Sequence, residues 1–149
     1  MSWDFGNRHC AIDLVGACRN AFTWVVTPSL EIPAKLFSLA TGRDLTEDEL
    51  LFAAQRVKTL ERAFLVIKGI RRKDDTLPKR LFGMEMPGGL FKGEKLDRQK
   101  FNKMVDEYYQ LRGWDEDGIP TEETFNKFGL SPEWKAFKKK LGKEGISHG

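Results

Sequence analysis

The fold is decided by residues 46–69, TEDELLFAAQRVKTLERAFLVIKG. Thr46, with Glu49 three positions later, forms a capping box, and the acidic residues of this first turn favour the positive end of a helix dipole. Gly69 provides a C-terminal stop. Between these ends, apolar residues recur at steps of three and four, which predicts one amphipathic helix from about residue 47 to residue 68. The apolar positions are Leu50, Ala53, Ala54, Val57, Leu60, Phe64 and Ile67.

Similar start and stop signals flank this helix on both sides. They predict helices from Pro33 to Thr41-Gly42, from Asp97 to Gly113, from Ser131 onward, and for one or two turns after Thr121. Residues 11–26 are also predicted as one helix because apolar residues recur at helical spacing. A strand remains the alternative at the C-terminal end of this segment, where the residues are β-branched. The residues at helical spacing in this segment are Leu14, Cys18, Phe22 and Val25.

No segment shows a convincing run of alternating strands, so the fold class is predicted to be all-α. We expect a single irregular helical domain over residues 1–149, with about five to seven helices. A long connection, at about residues 70–96, is expected to be ordered, because loops of this length in compact domains are usually functional or held by neighbours. Its charged part, residues 71–80, alternates in sign by blocks and predicts a salt-bridged loop rather than a phosphate-binding patch.

Composition restricts the function classes. The chain has 149 residues, with 25 Lys and Arg against 22 Asp and Glu and a net charge of +3, too small for a dedicated nucleic-acid binder. No apolar run approaches the roughly 20 residues that span a bilayer, and the N-terminal sequence lacks the layout of a secretory signal. Two cysteines are too few for a disulfide scaffold. We therefore expect a cytoplasmic protein without nucleic-acid or membrane partners.

The segment Asp13-Leu14-Val15-Gly16-Ala17-Cys18 groups a carboxylate, a glycine and a thiol, predicted to lie at or near the start of a helix. A thiol in a first helical turn is shifted toward thiolate, the form that attacks electrophiles or binds metals. Gly16 has no side chain, so a flat ligand could approach the backbone closely. This grouping makes the segment the candidate site.

Four interpretations of Cys18 remain open from the residues alone. It could be a small apolar side chain in the helical stripe, which is common for isolated cysteines. A zinc site would need about four ligands, and His9, Cys10 and Cys18 supply three at most. A cysteine nucleophile would need a histidine base, for which only His9 and His148 are present. A single thiolate donated to a cluster with its other ligands elsewhere is the fourth interpretation.

The motif Asp13-x-x-Gly16-Ala17-Cys18 resembles the Asp-x-x-Gly-Leu-Cys motif in the C-terminal helical region of the tungsten-containing aldehyde ferredoxin oxidoreductases. Further segments resemble that region in the same order, and the best match runs from about residue 10 to residue 130. These segments are Ala40-Thr41-Gly42, Asp44-x-Thr46, Leu60-Glu61-Arg62, Arg72-x-Asp74-Asp75-Thr76-Leu77-Pro78-Lys79-Arg80, and Glu107-Tyr108-Tyr109-x-x-Arg112-Gly113-Trp114-Asp115.

The resemblance implies a cofactor role. Enzymes of this family oxidise an aldehyde with water to a carboxylate and pass electrons through a 4Fe–4S cluster to ferredoxin, using tungsten, sometimes molybdenum, held by two pterin dithiolenes. By resemblance, Cys18 is the one cluster ligand from this region, and Asp13 hydrogen-bonds a pterin. Ala17 and Cys18 lie against the same cofactor, with Ala17 standing where the family has leucine.

The resemblance also implies that parts of the enzyme lie outside this chain. The family's other three cluster cysteines and its pterin-binding sheet domain precede this region, so we expect N-terminal and middle domains or a separate subunit as partners. The chain alone is expected to bind neither cofactor stably and to be inactive. An excised domain should expose an apolar patch around residues 13–18. The alternative is a non-catalytic helical module that binds a partner protein.

Overall fold

The computed structural model describes residues 2–22 and 29–144, and these residues form an all-α fold, as predicted. The described residues contain eight helices, of which α2 and α5 are single turns. The other six have six residues or more, and their number agrees with the predicted five to seven helices. The helices are α1 (Ser2–Leu14), α2 (Arg19–Phe22), α3 (Glu31–Thr41), α4 (Glu47–Ile67), α5 (Lys79–Gly83), α6 (Arg98–Arg112), α7 (Glu122–Lys127) and α8 (Ser131–Glu144).

Helix α4 confirms the prediction made from residues 46–69. The Thr46 hydroxyl accepts a hydrogen bond from the backbone N–H of Glu49, and the Glu49 carboxylate accepts one from the backbone N–H of Thr46 at 2.8 Å. These two bonds satisfy donors that a helix start otherwise leaves without partners. The predicted helices after Asp97, Thr121 and Ser131 are also present, and the side chain of Asp97 caps α6.

The prediction of one helix over residues 11–26 is wrong. Helix α1 instead begins at Ser2 and ends at Leu14, and α2 follows as a single turn. The physical reason is Gly16, whose φ of 71° lies in the left-handed region and ends the helix. The predicted position of Val25 lies outside the described residues.

Helix α4 joins two buried clusters. Near its N-terminal end it packs with α1 and α3 around one cluster, and near its C-terminal end it packs with α7 and α8 around the other. The first cluster comprises Cys10, Ala11, Ile12, Leu30, Ala34, Leu50 and Ala54. The second comprises Ala63, Val66, Phe125, Phe128, Leu130 and Phe137. A single long helix therefore contributes residues to both buried clusters.

The long connection at residues 70–96 is ordered by local and long-range contacts. It contains α5 and a loop that is closed where the Met86 N–H donates to the Glu94 carbonyl at 2.9 Å. The expected salt-bridged loop is confirmed, since Arg72 lies 3.2 Å from the carboxylate of Asp106 on α6. No helix among residues 2–22 and 29–144 has the length and apolar character needed to cross a bilayer.

Candidate functional site

The segment from Ile12 to Cys18 forms a helix C-terminal cap. The Ala17 N–H donates to the Ile12 carbonyl at 3.2 Å, and the Gly16 N–H donates to the Asp13 carbonyl at 3.0 Å. This pair of bonds is the Schellman arrangement, which needs a residue with positive φ at the position of Gly16. The glycine is therefore explained first by the turn it makes.

The turn separates the three predicted cofactor residues into two environments. Asp13, in the last turn of α1, and Cys18, directly before α2, are exposed. Ala17 is half-buried and packs against the first core cluster. Any contact of Ala17 with a cofactor would therefore use its backbone. Because Cys18 is exposed, the interpretation of its thiol as a core side chain is wrong.

Cys10 differs from Cys18 in solvent exposure, since Cys10 is buried and Cys18 is exposed. Its side chain is 7% exposed, and its Sγ lies 3.8 Å from the Ala54 carbonyl oxygen. Burial raises the pKa of the Cys10 thiol above its ordinary value of 9.0. A neutral buried thiol is a poor ligand and a poor nucleophile. Among the described residues, no three His, Cys, Asp or Glu side chains are grouped closely enough to hold a metal ion.

A groove of about 550 Å³ lies beside Asp13, between α1 and α4. Two exposed aromatic or aliphatic side chains of α1, Phe5 and Leu14, line it. Lys58 and Glu61 of α4 line the opposite side and form an ion pair at 2.8 Å. The carboxylate of Asp13 therefore stands next to a surface that combines apolar area with fixed charges.

A second polar cluster lies around Arg62 of α4. Its guanidinium donates two hydrogen bonds to the carboxylate of Asp75, at 3.0 and 2.6 Å, and one to the Gly118 carbonyl at 2.7 Å. The Tyr109 hydroxyl donates to the same carboxylate. These contacts hold the long connection, α4, α6 and the turn before α7 in one arrangement.

Electrostatics in this cluster follow from its contacts. Burial raises the pKa of Asp75, but hydrogen bonds from Arg62 and Tyr109 and the charges of Arg62 and Arg72 outweigh it, so the pKa falls below the ordinary 3.8. Burial and the hydrogen bond to Asp75 raise the pKa of the Tyr109 phenol. Asp75 is therefore an anion and Tyr109 a neutral donor at physiological pH. A Cβ at Gly118 would collide with Arg62, so the guanidinium requires glycine there.

A profile described as "Aldehyde ferredoxin oxidoreductase, domains 2 & 3" matches residues 1–130, which includes the Schellman turn and the Arg62 cluster. The chain belongs to the aldehyde ferredoxin oxidoreductase family. The resemblance described from the sequence motifs is thereby confirmed, and the match extends further toward the N-terminus, through α1.

Individual family members agree with this assignment. The chain is 36% identical over 97 residues to the tungsten-containing aldehyde ferredoxin oxidoreductase of Pyrococcus furiosus, covering 64% of this chain and 16% of that protein. It is 31% identical over 127 residues to the "Aliphatic sulfonate oxidoreductase, WOR-like subunit" of the same organism, covering 79% and 20%. The chain thus spans about a sixth to a fifth of the length of these relatives.

One solved structure has the same fold over nearly all of this chain. It is the "Active site complex BamBC of Benzoyl Coenzyme A reductase in complex with 1,5 Dienoyl-CoA". The TM-score is 0.70 at 27% sequence identity, and the match covers 96% of this chain and 20% of that chain.

Sequence reasoning located the motif at residues 13–18 but missed two polar pairs that join distant parts of the chain. The loop charges predicted ion pairs, yet nothing in the pattern showed that Asp75 pairs with Arg62 on α4. Arg112 is 7% exposed and donates to the Asn7 side chain at 2.6 Å, and these residues are 105 positions apart. Arg112 and Gly113, at the end of α6, belong to a segment that resembles the family. That resemblance did not indicate that the Arg112 guanidinium is buried.

Proposed function

We propose that this chain is the part of a tungstopterin, iron–sulfur aldehyde:ferredoxin oxidoreductase that supplies one cluster ligand and one side of the pterin site. Cys18 provides the thiolate, and Asp13 binds the pterin. The observation that carries this proposal is the Schellman turn, which brings an exposed carboxylate and an exposed thiol to the same end of α1. The turn is built from the residues that resemble the family motif.

The residues present fit these cofactors in number and in chemistry. An iron–sulfur cluster is held by thiolates, and Cys18 is the exposed cysteine of the described chain, whereas Cys10 is buried. A carboxylate such as Asp13 accepts two hydrogen bonds and can bind the amino and ring N–H edge of a pterin. Within the described part of the chain, no atom lies within 4 Å of a Cβ built on Gly16, which leaves room beside the turn for a flat ligand.

The bound cofactors supply the redox chemistry, in which an aldehyde and water become a carboxylate and electrons pass to ferredoxin. This chain's residues hold and orient those groups. The Schellman turn fixes the direction in which the Asp13 and Cys18 side chains leave the backbone. Backbone N–H groups near a cluster sulfur would tune its potential.

The names of the relatives support a role of this chain in binding the cofactors rather than in selecting the substrate. Their names specify an aldehyde, an aliphatic sulfonate and benzoyl-coenzyme A. Proteins with such different substrates share the region to which this chain is similar. A region common to all three is better suited to a common cofactor arrangement than to substrate selection. We infer that residues outside this chain choose the substrate.

The remaining parts of the proposal concern the assembly. We infer that residues 1–149 form one domain, because α4 contributes to both buried clusters. The partners are the remaining domains of the enzyme, in the same polypeptide or in a separate subunit, and ferredoxin. The chain alone binds neither cofactor stably and is inactive, since it supplies one thiolate of the four a cluster needs. The enzyme works in the cytoplasm without nucleic-acid or membrane partners.

The test is to prepare the chain together with the polypeptide that carries the family's remaining domains and to compare Cys18→Ser with Cys10→Ala. We expect Cys18→Ser to lower the iron content and to change the electron paramagnetic resonance spectrum of the reduced enzyme, because a cluster with three thiolates readily loses one iron. Cys10→Ala should keep both. Unchanged iron and an unchanged spectrum in Cys18→Ser would refute the ligand assignment.

A matched experiment tests whether the carboxylate of Asp13 binds the pterin. Asp13→Ala should reduce the pterin content of the assembled enzyme, whereas Asp44→Ala, another exposed acidic residue, should not. Equal pterin contents in the two variants would contradict the role of Asp13. The alternative, a non-catalytic helical module, would require an assembled preparation whose iron, tungsten and pterin contents are independent of both Cys18 and Asp13.

A further inference from the structure

His9 lies in the groove of about 550 Å³ between α1 and α4, which we call the α1–α4 groove. Phe5, His9 and Asp13 line its α1 side, and Lys58 and Glu61 line its α4 side. The three α1 residues are spaced four apart, so they share one face of the helix, with successive Cβ atoms about 5–6 Å apart. The imidazole of His9 is therefore one helical turn from the carboxylate assigned to the pterin.

The imidazole of His9 is held in one orientation by the preceding helical turn. Its Nδ1 lies 2.9 Å from the backbone carbonyl oxygen of Phe5, and the two ring centres lie 4.0 Å apart. A carbonyl oxygen only accepts hydrogen bonds, so Nδ1 carries the hydrogen. In the neutral imidazole Nε2 is then an acceptor. Among the residues that the structure describes, Nε2 has no hydrogen-bond partner.

The α1 side of the groove thus presents two hydrogen-bond acceptors to one ligand. The carboxylate of Asp13 accepts two hydrogen bonds, and Nε2 of His9 accepts one. On the α4 side, the Glu61 carboxylate is paired with Lys58 at 2.8 Å. A pterin is flat and carries several N–H groups along its edge, which suits a row of acceptors. The groove volume also falls within the roughly 300–1,000 Å³ that is typical of small-molecule sites.

We propose that His9 is a second pterin-binding residue, whose Nε2 accepts a hydrogen bond from the same pterin edge that Asp13 binds. This proposal rests on the proposed function, in which Asp13 binds the pterin. A single carboxylate contact leaves the flat ring free to pivot about that contact. A second contact one helical turn away removes this freedom, so the two residues together fix the orientation of the pterin.

The acceptor at Nε2 is tested first, in the isolated chain, by nitrogen NMR of a sample with ¹⁵N-labelled histidine. The measurement is made at about pH 8.5, where an ordinary imidazole is neutral. We expect Nδ1 of His9 to carry the hydrogen and Nε2 to show the chemical shift of a bare ring nitrogen. The His9→Asn variant identifies which of the two histidine signals belongs to His9. A hydrogen on Nε2 would overturn the proposal, because that nitrogen could not then accept.

The contact itself is tested in the chain assembled with the remaining domains, by the rate at which the pterin is released on dilution. His9→Asn keeps an amide donor near the Phe5 carbonyl but removes the acceptor at the Nε2 position. His9→Gln places an amide oxygen close to that position. We expect about fivefold faster release from His9→Asn, the change that one ordinary hydrogen bond produces. Release from His9→Gln should stay within about twofold of the unchanged enzyme.

Equal release rates from the Asn and Gln variants, whether slow or fast, would overturn the proposal, because a contact at Nε2 requires the two to differ. Asp13→Ala, measured in parallel, separates this result from the proposed function. Fast release from Asp13→Ala with unchanged release from His9→Asn would contradict the role of His9 alone. Unchanged release from both variants would contradict the assignment of Asp13 to the pterin as well. The iron content should stay unchanged in both His9 variants, since Cys18 is intact.

Discussion

Replacement of Gly16 with alanine tests whether the Schellman turn depends on backbone conformation. An L-residue in the left-handed region costs roughly 1–2 kcal/mol. The lower flexibility of alanine in the unfolded chain offsets about 0.4–1 kcal/mol of that cost. No atom of residues 2–22 and 29–144 lies within 4 Å of the added Cβ, so these residues add no steric term. We therefore expect Gly16→Ala to reduce the free energy of unfolding by about 1 kcal/mol, or about 2–4 °C in Tm for a chain of this size.

A D-amino acid separates conformation from every other effect of the extra methyl group. Because Cys18 allows native chemical ligation, a synthetic peptide of residues 1–17 can be joined to an expressed fragment of residues 18–149. D-Alanine at position 16 favours positive φ while it restricts the unfolded chain in the same way as L-alanine. It should therefore raise the free energy of unfolding by about 0.4–1 kcal/mol relative to glycine.

Urea denaturation followed by circular dichroism measures both variants. The reasoning is refuted if L- and D-alanine shift the midpoint in the same direction, because a positive φ at position 16 requires opposite signs. In the assembled enzyme, the L-alanine and D-alanine variants should differ in iron content, since a distorted turn displaces the Cys18 thiol. L-Alanine should lower the iron content, and D-alanine should preserve it.

Other expectations concern stability and thiol chemistry. Asp75→Asn should cost about 1–3 kcal/mol in urea denaturation, because it leaves the buried Arg62 guanidinium without its charged acceptor. Since the folded pKa of Asp75 is lowered, its contribution is complete above pH 3.8 and is lost as the pH falls through the folded value. The acid-unfolding curve of the unchanged chain should therefore be steeper below that pH than the curve of Asp75→Asn. Iodoacetamide should modify Cys18 in the native isolated chain, whereas Cys10 should react only after unfolding, as peptide mass spectrometry will show. Thr46→Ala should reduce the free energy of unfolding by about 1 kcal/mol, because it removes the cap of α4. Calorimetry of the isolated chain should give one cooperative transition, and two resolved transitions would contradict a single domain.

Local signals explain why most helices could be predicted. The start of α4 depends on Thr46 and Glu49, which are three residues apart, and the end of α6 depends on Gly113, whose φ is 69°. Both features satisfy backbone groups with neighbours in the chain, so the sequence contains all that is needed. The turn at residues 13–18 was located as a motif for the same reason, although its place at the end of a helix was not recognised.

The misassigned helix over residues 11–26 shows where periodicity fails. Leu14 and Cys18 stand four residues apart, which is typical of one helical face, yet the chain turns at Gly16 between them. Glycine is compatible with both a helix interior and a left-handed cap. The choice depends on what the following residues pack against, and here Val15 and Ala17 pack on the first core cluster.

The sequence by itself determined the all-α class, the capped helices and the motif that carries the family resemblance, because each depends on residues close together in the chain. Tertiary structure alone decided which charges meet and which thiol is exposed. Arg62 reaches Asp75 across 13 positions, and Arg112 reaches Asn7 across 105. Such contacts depend on the packing of α1 against α4 and α6. The same packing buries Cys10, whereas Cys18 stays exposed.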